Sequence, residues 1–181
     1  HPEFGLLLDA LCGRRPQALA PVNLAGMRLG LVSAHFSGRE MEGDVADVCA
    51  QACARLADLG AELVPVEIAH LDLSDGLMLT LIAPEAAAIH ARWLAQRPHD
   101  YAELTRQQLE LGLAVPAMAY VRGQQFCRYL AAAMLGSLQT VDALLSPTVA
   151  WVAPTEDPAV IGAAGASEAR RTAPYNLTGF P

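Results

Sequence analysis

The sequence predicts an α/β fold, a mixed and mostly parallel sheet flanked by helices. Three observations carry that prediction. Residues 26–32, 45–59 and 61–68 read in succession as strand, helix and strand, and a helical crossover between two strands implies parallel neighbours joined in the right-handed sense. A long helical stretch then runs to Thr140. It leads into a short apolar run at Ala143, Leu144 and Leu145, with a second apolar piece after Ser146-Pro147-Thr148. An unbroken apolar run bounded by turn residues suits a strand buried on both faces, in the middle of a sheet. Loops beyond the carboxyl ends of such strands are where α/β proteins place ligands. Ser146-Pro147-Thr148 is therefore the first place to look for chemistry, although the same three residues also serve to end a strand.

In order along the chain, residues 3–11 form a short apolar helix closed by Gly13, before a loop rich in Arg and Pro. The first strand, 26–32, is followed by a linker, SAHFSGREMEGD. The helix at 45–59 carries apolar residues at three- and four-residue spacing (Val45, Val48, Cys49, Ala52, Leu56, Leu59), and Gly60 stops it as a C-terminal cap. Pro65 inside the second strand, 61–68, removes a ladder donor and places that strand at an edge or a bulge. Residues 73–95 are helical on two faces, and Pro84 starts a fresh helix at its first position. A shorter, more polar helix spans 100–113, and another spans 116–140. Three helices between the second and third strands fit a helical layer on one side of the sheet. The run Gly162–Ser167, GAAGAS, reads as a loop; it lacks the lysine and the helix of a phosphate cradle.

At 181 residues the chain is long enough to bury a proper core as a single unit. Apolar residues make up 53% and charged residues 17%, yet no uninterrupted apolar run reaches the roughly 18 residues of a membrane span. The first residues show an apolar patch without a basic lead or a small-residue cleavage site, so a cytoplasmic location is expected. A net charge of −7 argues against a nucleic-acid surface. Every basic residue apart from histidine is arginine, which removes Schiff-base and lysine general-base chemistry from this chain.

The cysteines and histidines point to packing rather than chemistry. Cys49 and Cys53 share a helical face, but no second Cys/His pair stands at finger-like spacing, and core packing is the expected role. His35, His70, His90 and His99 lack a partner at the spacing of a metal or triad signature and read as structural or exposed.

Several stretches resemble a known family when taken together. GMRLGLV, LADLGAELVPVEI, APEAAAIHARWL, HDYAELTRQQLELG, AMAYVRGQQFCRYL, DALLSPTVAWVAP and RRTAPYNLTGFP stand in the order found downstream of the glycine- and serine-rich signature of the amidase signature family. The opening LLLDALCGRRP resembles the helix after that signature. The resemblance implies a hydrolase of carboxamides that uses a serine nucleophile, a second serine on a cis peptide bond and a lysine base. It further implies an acyl-enzyme and an oxyanion held by backbone N–H groups. No GGSSGGS-like run and no lysine occur in this sequence. The resemblance thus makes residues 1–181 the C-terminal part of an amidase domain, with no catalytic residue of its own and no activity alone.

What the chain carries in that reading is pocket wall. Arg128, on the helix with Tyr120, matches a position from which some members present an arginine to substrate, although Gly123 stands where many relatives place alanine. An ion-pairing or surface role suits Arg128 equally. Thr172, Asn176 and Gly179 belong to the segment that resembles a motif close to the cleft; Asn176 also suits a plain turn. Ala169 stands where the glutamyl-tRNA amidotransferase branch has an aspartate that holds the substrate, so a general amidase is expected. No cofactor, metal, nucleic acid or membrane enters the reading. Its expected partners are a small amide and, because truncation leaves apolar faces open, a second copy of the chain. Two alternatives stand beside it: a non-catalytic binding or interaction module that keeps the fold, and an unrelated α/β domain binding a small molecule.

Overall fold

The computed structural model describes residues 2–15, 22–36, 41–153, 155 and 169–180. Helix α1 spans Pro2–Leu11. Strand β1, Arg28–Val32, runs into a short helix α2, Ser33–Phe36, inside the segment expected to be a linker. Helix α3, Gly43–Asp58, leads to strand β2, Glu62–Val66. Helices α4 (Ser74–Gln96), α5 (Glu103–Leu113) and α6 (Ala117–Ser137) follow, then strand β3 (Ala143–Leu145) and helix α7 (Ala173–Thr178). The GAAGAS run lies outside the described residues, as does Pro154.

The three strands form one parallel sheet in the order β2-β1-β3. Gly30 pairs with Val64 on one side and Leu144 on the other. A Cβ on Gly30 would stand 2.8 Å from Val66 Cγ2 and 3.0 Å from Val141 Cγ2, so the central strand admits only glycine there without a shift. The register of β3 is set at its first turn. Arg28 N donates to Asp142 Oδ2 at 2.7 Å while Asp142 N donates to the Arg28 carbonyl at 2.8 Å. The Arg28 guanidinium donates in turn to the Thr140 carbonyl.

Several expectations change at this level. The strand in the middle is β1, where Val32 is fully buried; β3 is an outer strand among the described residues, with Ala143 exposed and Leu144 and Leu145 half-buried. The apolar run 149–153 forms no strand. It is held instead to the start of α3, by Glu42 N donating to the Ala150 carbonyl (2.8 Å) and Val152 N donating to Glu42 Oε2 (3.1 Å). Pro84 does not begin a new helix, because α4 is continuous through it. Leu81, Ala83 and Ala87 are buried on either side of that proline, so tertiary packing overrides the local break. Pro65 does fall on a strand that is an edge among the described residues, where its missing N–H is tolerated.

Gly60 also behaves as read. It adopts φ +92°, Gly60 N donates to the Ala57 carbonyl and Ala61 N to the Leu56 carbonyl, the paired bonds of a Schellman cap. The core lies between the sheet and α6: Val32, Val66 and Val141 pack with Leu130, Met134 and Leu71, and Tyr175 and Phe180 close one side. Because strand order reverses direction at β1, right-handed crossovers place α3 on one face of the sheet and the α4–α6 layer on the other. Helix α5 sits close on α4 at Gly112, where a Cβ would come within 2.1 Å of the Ala83 carbonyl oxygen.

Candidate functional site

The carboxyl ends of β1 and β3 open side by side, and the segment after each supplies a polar side chain. His35, on α2, is buried, and its Nδ1 lies 2.6 Å from Ser146 Oγ. Ser146 also reaches the Pro147 carbonyl at 3.1 Å. With the serine proton on that carbonyl, Nδ1–H donates to Ser146; with the proton turned the other way, Ser146 donates to a bare Nδ1. Arg171 is buried above the pair and its Nε donates to the His35 carbonyl at 3.2 Å. Burial, then the charges of Arg171 and Arg170, push the His35 pKa down to about 4, so the imidazole is neutral at pH 7.

A cavity of about 410 Å³ opens beside this pair, lined by Ser146, Thr148, Arg171, Thr172, Tyr175 and Asn176 with apolar support from Leu144 and Phe180. The Tyr175 hydroxyl is buried without a hydrogen-bond partner among the described residues. Burial pushes its pKa up; Ser146 is near enough to oppose that rise without making a bond of acceptable geometry. The Tyr175 ring meets His35 edge-on, centroids 6.4 Å apart.

A second, smaller cavity of about 170 Å³ lies between α4, α6 and α7, and Asn176 lines both. Here Tyr120 donates to Glu85 Oε1 at 2.9 Å and Gln124 Nε2 donates to the Tyr120 oxygen at 3.2 Å. The bond that Tyr120 donates to Glu85 raises the Tyr120 pKa, since loss of the phenolic hydrogen would set two anions together, while the bond it accepts from Gln124 opposes the rise.

The residues singled out from sequence are therefore distributed unevenly. Thr172 and Asn176 line the larger cavity, and Tyr120 bonds to a residue of the smaller one. Thr172 also stands at the N-cap of α7, with its hydroxyl donating to the Ala169 carbonyl at 3.2 Å. Gly179 ends α7 at φ +74° and lines neither cavity, so its visible role is conformational. Arg128 is exposed on α6 and lines neither cavity, although its neighbour Cys127 lines the smaller one and feels its charge. Cys49 and Cys53 are half-buried rather than core residues, and no cluster of three metal-ligating side chains occurs among the described residues.

Sequence reasoning missed His35 and Glu85, and within the segment that resembles a motif close to the cleft it gave no role to Arg171 and Tyr175. The signal for His35 was available: it stands just beyond the carboxyl end of β1, the position that drew attention to Ser146 after β3. The others depend on α7 folding back onto α4 and α6, which no local pattern encodes.

Residues 14–179 match the Amidase family model. The chain belongs to the amidase signature family. An amidase from Pseudomonas putida is 32% identical over 124 residues, which make up 68% of this chain and 26% of that protein. The same fold recurs in the crystal structure of an amidase, with a TM-score of 0.78 at 22% identity, covering 98% of this chain and 41% of that one. It recurs again in a component of the glutamyl-tRNA(Gln) amidotransferase from Thermotoga maritima, with a TM-score of 0.64 at 20% identity, covering 92% of this chain and 37% of the other. The chain thus spans between about a quarter and two-fifths of the length of these relatives. An α/β domain unrelated to amidases is ruled out. No helix among the described residues is long and apolar enough to cross a membrane.

Proposed function

We propose that residues 1–181 are the C-terminal part of an amidase domain that hydrolyses carboxamide C–N bonds, with the catalytic Ser-cisSer-Lys residues outside this chain. The observation that carries the reading is a family match over residues 14–179 in a chain with no lysine. A mechanism that needs a lysine base cannot be completed on it. In the whole enzyme the nucleophilic serine adds to the amide carbon and its proton passes by way of the second serine to the lysine. The C–N bond then breaks as the amine leaves with a proton, and water releases the acyl group.

This chain supplies cleft wall. Thr172 and Asn176 face the space where substrate lies, Tyr120 orders the neighbouring wall through Glu85, and Gly179 shapes the turn that ends α7. Arg128, exposed on α6 and lining neither cavity, meets substrate only where the cleft extends beyond the walls that this chain supplies. Leu6, Leu7, Leu8 and Leu11 are exposed on α1, which supports self-association of the isolated chain.

The test is turnover on simple aliphatic and aromatic amides by this chain and by a protein extended upstream through an in-frame glycine/serine-rich stretch and its lysine. The extended protein hydrolyses amides and the chain alone does not; hydrolysis by the chain alone sinks the reading. Light scattering on the isolated chain checks the second copy, which a monomer with little binding of a hydrophobic dye removes.

A further inference from the structure

The smaller cavity has a chemical polarity of its own. Glu85 brings an exposed carboxylate to its rim, and Tyr120 is the one partner that this carboxylate bonds among the described residues, through Oε1. No arginine or histidine lies within ion-pair distance of Glu85 among the described residues. The Tyr120 hydroxyl, itself steadied by Gln124, fixes the carboxylate from one side only. Beneath it the floor is apolar, made by Met78, Leu81, Ile82 and Leu177. The field of the carboxylate reaches across this space: after burial, Glu85 is the next cause that pushes the Cys127 thiol up, with Arg128 opposing.

We propose that this cavity is an ammonium-binding subsite, in which the Glu85 carboxylate receives a primary ammonium and the apolar floor takes the short alkyl stem that carries it. A carboxylate held by Tyr120 at the open rim of an apolar floor matches an alkylammonium, and it gives a neutral alcohol of the same shape no charge complement. Asn176 lines both this cavity and the larger one, so a ligand anchored here lies one side chain away from the space lined by Thr172 and Ser146. Ala169 offers no counter-charge to an ammonium, and Glu85 supplies one from a different element, α4. The inference rests on the cleft-wall reading only for calling the ligand a substrate; the binding itself stands apart from it.

The experiment is a titration of the chain at pH 7 with n-butylammonium, and in parallel with 1-butanol, followed by ligand-observed NMR or calorimetry. Butylammonium is expected to bind about fivefold more tightly than butanol, the size of one exposed charge pair. Glu85→Gln, with its fold checked by circular dichroism, is expected to erase that difference. A preference that survives Glu85→Gln, equal affinity for the two probes, or no binding of either overturns the proposal. Because no turnover is measured, the subsite stands if the amidase reading fails, and the amidase reading stands if the subsite fails.

Discussion

The two helical layers of this molecule are built to different standards. Helix α3 covers one face of the sheet with 16 residues, and among these, all described, none is buried. Helix α6 covers the other with 21 residues and buries Gly123, Cys127, Leu130 and Met134. The amphipathic stripe read on α3 included Val48, Ala52 and Leu59; these are exposed, and only Val45, Cys49 and Leu56 of that set are half-buried. Apolar spacing alone does not say how much surface a layer buries. The face that holds the core is also the face on which α7 packs, through Tyr175, and Asn176 of α7 lines both cavities, so stability and the candidate site are coupled on one side.

The largest test of that asymmetry is truncation of a side chain in the α6 layer. Leu130 is completely buried in the core cluster, and Leu130→Ala is expected to cost about 2–5 kcal/mol from lost burial and the cavity left behind. Urea unfolding followed by circular dichroism reads this directly. If Leu130→Ala and Val48→Ala cost the same, the distinction between the layers falls.

His35 gives the next effect, through pH. Its folded pKa is about 4 against an ordinary 6.5, so between those values the unfolded chain binds a proton that the folded one refuses. Stability is therefore full above about pH 6.5 and falls as pH drops toward 4, by on the order of 2–3 kcal/mol. His35→Gln removes that part of the slope, which unfolding curves at pH 7, 5.5 and 4.5 resolve. An unchanged slope means that His35 is not the buried neutral base that joins β1 to Ser146.

How much of this was legible depends on range. The parallel βαβ unit, the cap at Gly60 and the edge position of Pro65 follow from rules that act within a few residues, and they appear as read. Pro84 and the placement of β3 depend on what packs around them, and there the local rule gave way: a helix held by Leu81, Ala83 and Ala87 runs through its proline. The same division holds at the site. Ser146 was visible as a residue after a strand, and Thr172 and Asn176 through family resemblance. The His35–Ser146 bond joins residues 111 apart in sequence, and the Tyr120–Glu85 bond joins residues 35 apart. Neither pairing leaves a trace in spacing.

On the α3 side the strongest single handle is backbone conformation rather than burial. Gly60 is left-handed at φ +92°, and a Cβ there would also stand 3.0 Å from Ala25 Cα. Gly60→Ala is expected to destabilise by about 1–2 kcal/mol, the cost of placing an L-residue in that region. A neutral result would mean that the turn into β2 relaxes, and that even this anchor of the outer layer is soft.

The smallest expected effect is the most discriminating about what covers α3. Val48 is 65% exposed, and Val48→Ser in the isolated chain is expected to change stability by no more than about 0.5 kcal/mol, as for a surface site with no packing to lose. Measured across protein concentration, the same variant also reports on self-association. If copies of the chain meet through this face, Val48→Ser lowers the weight-average mass while leaving the unfolding midpoint of dilute protein in place. If they meet through the exposed leucines of α1, mass is unchanged. A loss well above 0.5 kcal/mol at low concentration would show that α3 is packed within the single chain, and the two layers would then be alike.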